Sequence, residues 1–435
     1  MMAGLKIPVH ELREGMYVAR LDRPWLDTPF LFQGFTIRSQ QEIDELCRYC
    51  AWVMVDRERS EVELEAASTE SGHPGQRPSL SKRVGGLLRR LRGGGRQANP
   101  IQPLTSLAGL PRTSYKDQET TISDEIPRAN ESVMRAQEMV RQATQQLKVS
   151  ETIEFSLVSQ AVDPIIDSVL RNKDAMIWLQ SMRGKDEYVF SRSVACSVWS
   201  VIFGRHLGLD RDTLTHLATG ALLLDLGKVK VPDELLMRDG PLGDEEMEMV
   251  RQHVEYGVKM LARSGDFDDC VIEMVRTHHE RFNGTGYPEG LKGTEIPPLG
   301  KIAGILDTFV AMTSQRPHAD AMASYDVMRH LHQLADVEFQ AELVEQFVQA
   351  IGMFPTGSLV ELSTGEVAIV TEQNRIRRLR PRVMVVLGAE KVMLREFRKV
   401  DLREQITSDS GEASLWITRG LPPGSYGIDP GEFFL

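Results

Sequence analysis

Several features that decide a protein's compartment are scarce in this sequence of 435 residues. Cysteine occurs only four times, which is too few for a disulfide framework in so long a chain. No apolar run approaches the roughly eighteen residues of a transmembrane helix, and the segment from Met1 to Pro8 lacks the apolar core of a signal peptide. A cytoplasmic protein without membrane association is therefore expected.

Excess positive charge is also absent. The formal net charge is −11, whereas a general nucleic-acid binder needs clustered cations that neutralise phosphates. Nucleic acid is thus not an expected partner. The length itself predicts two or three domains.

The most informative segment that is present runs from His278 to Leu291 and reads His-His-Glu-Arg-Phe-Asn-Gly-Thr-Gly-Tyr-Pro-Glu-Gly-Leu. Two adjacent histidines at a helix end can bring two neutral imidazoles to a metal ion, because successive helical side chains project about 100° apart. The glycines that follow relax the backbone, so that a loop can close over an anionic ligand. The pattern predicts a metal centre beside an anion-binding loop.

This segment resembles the signature loop of the HD-GYP family, bacterial relatives of the HD metal phosphohydrolases that cleave the second messenger cyclic di-GMP. Further family positions match at Asp225 and Lys228, within Leu-Leu-Asp-Leu-Gly-Lys, and at His253 and Asp307. The similarity covers residues 151–336, which is the middle part of the chain. The resemblance implies a helical HD-type bundle, with Asp225 and Lys228 as catalytic residues.

The resemblance also implies a metal-ligand set, which this chain keeps only in part. Family members of this kind use at least two metal ions. One ion would be held by four residues that are present: Asp225, His253, His278 and His279. The other would be held by the same Asp225, which the two ions share, by Asp307 and by two further histidines, but Arg192 and Leu224 stand at those histidine positions. We therefore expect at most about one divalent transition metal per chain, such as iron or manganese, because imidazole ligands favour such ions.

The two replacements change the chemistry of the second ion's position. Leucine has no lone pair, and arginine is a permanent cation without an acceptor. Since two carboxylates without a cation would repel each other, we hypothesise that the Arg192 guanidinium pairs with Asp225 and Asp307. The alternatives are that Arg192 is an ordinary surface residue and that Leu224, in an apolar helical run, is simply part of the core.

A binder of cyclic di-GMP needs cations for two phosphodiesters and planar or polar groups for two guanines. The resemblance points to eight candidate ligand-binding residues in the loop or near basic positions of the family: Lys228, Arg281, Gly286, Tyr287, Pro288, Lys292, Lys301 and Arg316. For the cations, the alternative is that each is a solvated surface residue.

Three functional hypotheses follow. The chain binds cyclic di-GMP or a partner and signals with little or no hydrolysis, it is a functional metal-dependent phosphodiesterase that yields pGpG or GMP, or it is an interaction module. The third arises because the Gly-Tyr-Pro loop of the family is associated with contacts to diguanylate cyclases of the GGDEF type. A homodimer is a further possibility.

The domain organisation is predicted to comprise a small α+β domain over residues 1–65, a flexible linker over 66–122, the helical HD-GYP domain with leading helices over 123–340, and a small β-rich appendage over 341–435. The fold class is mainly α. The first part resembles a domain of unknown function that often precedes HD-GYP domains. The linker is rich in Ser, Gly, Pro and Arg. Its basic amphipathic segment, residues 82–92, is interpreted as solvated, with docking on an anionic membrane or a partner as the alternative.

Periodicity predicts individual elements within these regions. Strands are expected over residues 15–19, 52–56, 358–362, 366–370 and 382–386. Helices are expected over residues 39–50, 189–206, 211–224, 244–261, 269–279, 299–314 and 325–332, with further helices from Ser123 and near Glu151.

Overall fold

A computed structural model describes residues 4–22, 35–37, 40–56, 60, 62, 107, 109–116, 120–150, 152–181, 188–238, 240–315, 319–374, 377–403 and 415–433. The chain divides into two compact units, Met1–Pro103 and Leu104–Leu435. Two predictions lie outside the described residues: Arg316, and most of the linker with its basic segment.

The first unit contains an antiparallel sheet and one helix. Its strands are β1 (Gly4–Pro8), β2 (Tyr17–Leu21), β3 (Phe35–Thr36) and β4 (Trp52–Asp56), in the spatial order β1-β4-β2-β3, and its helix is α1 (Gln40–Tyr49). Val53 and Val55 alternate with half-buried neighbours along β4 and enter the core, which Leu46 of α1 completes. The α+β character predicted for this part of the chain is confirmed.

The second unit begins with a helical bundle. Its helices are α2 (Ile122–Ser150), α3 (Phe155–Arg171), α4 (Lys173–Ser181), α5 (Tyr188–His206), α6 (Arg211–Leu223), α7 (Asp233–Leu236), α8 (Asp244–Arg251), α9 (His253–Ser264), α10 (Asp269–Thr277), α11 (Pro298–Thr313), α12 (Ser324–Gln333) and α13 (Ala341–Ile351). In the core, Trp199 of α5 meets Phe309 of α11 edge to face at 5.4 Å between ring centroids, and Phe309 meets Phe347 of α13 at 5.2 Å. The mainly helical fold class is confirmed. None of the described helices combines the length and apolar character needed to cross a bilayer.

An ion pair joins the long helix α2 to α3. Glu125 is fully buried, and its carboxylate accepts hydrogen bonds from the Ser168 hydroxyl at 2.8 Å and from Arg171 Nη2 at 2.7 Å. Burial opposes ionisation, but these two donors outweigh it and lower the pKa of Glu125 below its usual value. The contact fixes α2 against the bundle in the charged state.

One helix prediction was wrong. Residues 244–261 were expected to form a single helix, but α8 ends at Arg251 and α9 begins at His253. Gln252 lies between them with φ −60° and ψ −13°. No residue of α8 is buried, whereas His253 and Val254 are buried at the start of α9. Tertiary packing of α9, rather than local propensity, therefore sets this boundary. The helix expected near Glu151 begins later, at Phe155. The other predicted bundle helices agree with the structure to within two residues.

A five-stranded antiparallel sheet follows the bundle, in the order β8-β7-β6-β5-β9. Its strands are β5 (Leu359–Leu362), β6 (Val367–Glu372), β7 (Arg382–Leu387), β8 (Met393–Asp401) and β9 (Ile417–Leu421). The hairpin predicted from the sequence is formed by β5 and β6, in which Val360 lies opposite Ala368. The predicted third strand corresponds to β7. The sequence did not predict β8 and β9. Trp178 of α4 is buried among apolar residues of this sheet, so bundle and sheet share a core.

Candidate metal centre and signature loop

Four predicted ligands come together from three parts of the bundle. Asp225 follows α6 and precedes a short 3₁₀ segment (226–230), His253 opens α9, and His278 and His279 follow α10. One potential ligand atom from each lies within 4.8 Å of the others. Gly227 allows this approach, because a Cβ built there would lie 1.9 Å from the His253 carbonyl oxygen. The glycine of the motif thus brings the aspartate segment against α9.

The orientation of two imidazoles suits metal binding. Nδ1 of His253 lies 2.7 Å from the Val250 carbonyl, and Nδ1 of His278 lies 2.7 Å from that of Val275. A proton on Nδ1 satisfies each bond and leaves the Nε2 lone pair free. Both Nε2 atoms and Oδ1 of Asp225 are buried without a hydrogen-bond partner among the described residues. Buried acceptors of this kind fit a divalent cation, so these residues can hold a metal ion.

The electrostatics favour the ligating forms of these groups. Burial lowers the pKa of His278 to about 4, and it also lowers the pKa of His253 and His279. The imidazoles are therefore neutral near pH 7 and keep their lone pairs. Burial opposes ionisation of Asp225, but Lys228 and Arg192 outweigh it and hold the pKa of that carboxyl well below its usual range. The cluster consists of three neutral donors and one carboxylate.

Arg192 lies between the two carboxylates of the predicted ligand set. Its Nη2 donates to Oδ1 of Asp307, and its Nη1 lies 3.5 Å from Oδ2 of Asp225. The Arg192 and Asp307 side chains are 14% and 7% exposed, so solvent screens this pair weakly. Burial opposes ionisation of Asp307, but Arg192 lowers its pKa. Both ion pairs hypothesised from the sequence are present. Asp307 is not part of the four-residue cluster.

Lys228 and Leu224 flank Asp225 in different ways. Nζ of Lys228 lies 2.8 Å from Oδ2 of Asp225, and the lysine side chain is 26% exposed, so it can reach a ligand from solvent. Leu224 is only 2% exposed and belongs to the core. The position that the family resemblance marks for a histidine is therefore apolar and buried.

A buried glutamate holds the signature loop. Glu280 is 4% exposed, and its carboxylate accepts backbone N–H groups from Glu289 at 2.8 Å, Gly290 at 3.1 Å and Leu291 at 3.0 Å. Gly286 packs so closely that a Cβ would lie 2.4 Å from the Arg281 nitrogen. Sequence reasoning missed Glu280. The sequence feature that could have identified it is an acidic residue directly after the two histidines, at the start of a glycine-rich loop.

The other predicted ligand-binding residues have different surroundings. The ring of Tyr287, which precedes Pro288, stacks on His279 at 4.6 Å, within the candidate site. The Arg281 guanidinium donates to the carbonyls of His278 and Glu280, so it supports the loop from inside. Lys292 is exposed, whereas Lys301 is half-buried, with Nζ 6.0 Å from the Phe282 ring.

Comparisons with known proteins agree with this geometry. A family model described as HD domain matches residues 179–343, and one described as a domain of unknown function (DUF3391) matches residues 5–157. The chain is 30% identical over 428 residues to a cyclic di-GMP phosphodiesterase of Pseudomonas aeruginosa, covering 98% of this chain and 92% of that protein. It is 36% identical over 144 residues to a cyclic di-GMP phosphodiesterase of Thermotoga maritima, covering 33% of this chain and 39% of that protein.

Among solved structures, an HDG"Y"P protein from Bdellovibrio bacteriovorus aligns with a TM-score of 0.44 and 15% identity, over 79% of this chain and 98% of that one. The relative from Pseudomonas aeruginosa spans nearly the whole chain and is named for the activity of the family that the signature loop resembles. This protein therefore belongs to the HD-GYP family of HD-domain proteins.

Proposed function

We propose that this chain is a cyclic di-GMP signalling protein that binds the dinucleotide beside a single metal ion and hydrolyses it slowly or not at all. The observation that carries the proposal is the Arg192 guanidinium between Asp225 and Asp307. It supplies the positive charge that two carboxylates need, without a metal. The named activity of the relatives supplies the ligand.

The chemistry of arginine supports the proposed low rate of hydrolysis. Two-metal hydrolases hold the attacking and leaving oxygens on ions about 3.5–4 Å apart. A guanidinium has no vacant coordination position for a water, and it stays protonated, so it cannot generate a hydroxide. It would also repel an incoming cation. One lost electrostatic contact of this kind typically costs about 10²–10³ in rate.

The remaining half of the site supports binding. A divalent ion held by Asp225, His253, His278 and His279 would act as a Lewis acid on a phosphate oxygen. Lys228 reaches the same aspartate and is part-exposed, so its ammonium group can also meet a phosphodiester. Tyr287, stacked on His279, offers a planar ring at the rim. Contacts with GGDEF-type cyclases and a homodimer stay predictions from the family resemblance.

The test combines calorimetry and product analysis on the full chain, with manganese or ferrous iron added. We expect saturable binding of cyclic di-GMP and, over hours, little pGpG or GMP. Lys228→Met should weaken binding about tenfold, because a charge-assisted contact to phosphate is lost. Lys230→Met is the matched control, because it removes the same charge from an exposed position of the same 3₁₀ segment.

Two results would contradict the proposal. Turnover at the rate of the Thermotoga maritima enzyme, measured in parallel, would show that Arg192 does not block catalysis. A flat calorimetric titration with the metal-loaded protein would show that cyclic di-GMP is not the ligand.

A further inference from the structure

A guanidinium lies close to the candidate metal centre, beyond the ring of Tyr287. Arg251 is the last residue of α8, and its side chain is 47% exposed. Its Cζ lies 5.1 Å from the centre of the Tyr287 ring, and that ring stacks on the imidazole of His279 at 4.6 Å. Arg251 is thus one stacked ring away from a residue of the metal cluster, although neither the sequence motifs nor the family resemblance marked it.

The N–H donors of Arg251 are open to an anion. Its nearest carboxylate is that of Glu248, where Nη1 lies 3.6 Å from Oε2, and the Glu248 side chain is 66% exposed. This distance is too long for a hydrogen bond, and exposed ion pairs contribute little. The contact with the Tyr287 ring uses no oxygen acceptor, so the planar fork of the guanidinium keeps its donors. A phosphate can therefore replace the weak contact with Glu248.

Two other arginines of the site are engaged by the protein itself. Arg192 binds Asp307 and lies beside Asp225, and its side chain is 14% exposed. Arg281 donates to two backbone carbonyls, and its Nε lies 3.4 Å from the carboxylate of Glu338. The charges of these two cations are balanced by carboxylates that touch them. Arg251 differs from both because its one acidic neighbour is distant and exposed to solvent.

A ligand with two phosphodiesters needs positive charge at two positions. Cyclic di-GMP carries its phosphodiesters on opposite sides of one macrocycle. The metal ion and Lys228 can meet one of them. The other then lies away from the metal, and the Tyr287 ring leads from His279 to Arg251 in that direction. A guanidinium matches the oxygens of a phosphate in a bidentate manner.

Lys292 and Lys301 are the competing candidates for the second phosphodiester. Lys292 packs against Gly284, where a Cβ would lie 2.2 Å from its Cε, and Nζ of Lys301 lies 6.0 Å from the Phe282 ring. Both contacts involve the part of the loop that precedes Tyr287. Arg251 is favoured because it contacts the ring that stacks on a metal-cluster histidine.

We propose that Arg251 binds the second phosphodiester of cyclic di-GMP, on the side of Tyr287 that is turned away from the metal cluster. This assignment rests on the proposed function and deepens it, since it adds a ligand-binding residue to the same site. Phosphate contacts position a nucleotide without reading its base. Arg251 therefore contributes to affinity, whereas discrimination between bases comes from other residues.

The first experiment is calorimetry on the full, manganese-loaded chain. Arg251→Met should weaken cyclic di-GMP binding about tenfold, because a charge-assisted contact to phosphate is lost. Arg251→Lys keeps the charge without the planar fork and should lose only about threefold. Arg276→Met is the matched control, because Arg276 is exposed and precedes His278 by two residues, as Arg251 precedes His253. It should bind cyclic di-GMP as the unmodified protein does, and all variants should retain their metal.

A second ligand separates a phosphate contact from a base contact. The linear dinucleotide GpG has the same two guanines but a single phosphodiester, which the metal ion and Lys228 would take. Cyclic di-GMP should therefore bind the unmodified protein more tightly than GpG does. In Arg251→Met this advantage should fall about tenfold, because only the cyclic ligand loses a contact. A contact between Arg251 and a guanine would instead weaken both ligands equally.

The outcomes separate this assignment from the proposed function. Full cyclic di-GMP affinity in Arg251→Met would overturn the role of Arg251 and leave the proposed function standing, whereas no binding by the unmodified protein would overturn both. Equal weakening of the two ligands, or loss of metal in Arg251→Met, would also overturn it, because Arg251 would then act on a base or on the metal cluster. A larger loss in Lys301→Met than in Arg251→Met would assign the second phosphodiester to Lys301.

Discussion

The guanidinium of Arg192, on α5, binds the carboxylate of Asp307, on α11, across the interior of the bundle. This contact lies where the family resemblance predicts one of two metal ions. In the other half of the predicted site, His253, His278 and Asp225 each keep a buried acceptor atom that has no hydrogen-bond partner among the described residues. Both halves include Asp225, and its two carboxylate oxygens have different neighbours. Oδ2 contacts Arg192 and Lys228, whereas Oδ1 is available to a metal ion.

The first prediction concerns metal content. The purified protein should hold about one transition-metal ion per chain, because only one complete set of imidazole and carboxylate ligands is present among the described residues. His279→Ala should lower this content, whereas Asp307→Asn should keep it, since Asp307 lies outside the cluster. Elemental analysis after dialysis measures all three proteins. Two tightly bound ions per chain, or loss of the ion in Asp307→Asn, would contradict the division of the site.

The second prediction concerns the loop anchored by Glu280. Glu280→Ala should lower the free energy of unfolding by about 2–4 kcal/mol, because three backbone N–H groups lose a charged acceptor. It should also weaken cyclic di-GMP binding while metal content is retained. Glu289→Ala removes the same charge from an exposed position in the same loop and should change the free energy by less than about 0.5 kcal/mol. Equal effects of the two variants would show that the buried contacts do not hold the loop.

The third prediction uses the lowered pKa of Glu125. Glu125→Gln should lower the free energy of unfolding by about 2–3 kcal/mol near pH 7, because Arg171 then lacks its counter-charge. A carboxyl whose pKa is lower in the folded state contributes stability that is complete above its unfolded pKa, about 4.3 for Glu. That contribution is lost as the pH falls through the folded value. The difference between the two proteins should therefore shrink below about pH 4.3.

Urea unfolding at pH 7, 5 and 3.5 measures this pH dependence. Glu131→Gln is the control on the same helix, because Glu131 pairs with Arg135 on the surface and such pairs contribute little. A constant difference between the unmodified protein and Glu125→Gln at all three pH values would contradict the ion-pair account.

The sequence anticipated the ligand cluster through its resemblance to the HD-GYP family, which implied that Asp225, His253 and the two adjacent histidines meet at one ion. It also anticipated the pairing of Arg192, since two adjacent carboxylates require a cation whatever the fold details. It did not reveal the position of Arg251. Arg251 and Tyr287 lie far apart in sequence, and their contact forms only when the end of α8 lies beside the signature loop.

The local sequence pattern also failed to predict two features that depend on tertiary contacts or on charged residues. The break at Gln252 depends on the close crossing of Gly227 and His253, which no helical periodicity encodes. The strand β8 is largely exposed and contains Arg395, Arg398 and Lys399. It lies at the edge of the sheet and lacks the apolar alternation by which strands are recognised.

The last prediction introduces histidines at the two positions that the family resemblance marks as metal ligands. The double change Arg192→His with Leu224→His should raise metal content from about one ion to about two and increase cyclic di-GMP hydrolysis by at least about 10²-fold. Either change alone should do little. Leu224→His leaves the Arg192 cation beside Asp225 and Asp307, where it repels a metal ion. Arg192→His removes that cation but leaves a leucine without a lone pair at the other position. Groups that act as one unit give strongly non-additive effects.

Metal analysis and product chromatography on the four proteins of this cycle measure the coupling directly. Leu224 is buried, so its replacement by histidine without a metal should also lower the melting temperature, and added manganese should restore it in the double variant. Leu224→Met in the Arg192→His background is the matched control, because methionine keeps the apolar volume and supplies no imidazole. A double variant that folds, binds a second ion and still leaves cyclic di-GMP intact would show that the loss of catalysis extends beyond these two positions. Equal hydrolysis by the unmodified protein and the double variant would show instead that Arg192 never blocked it.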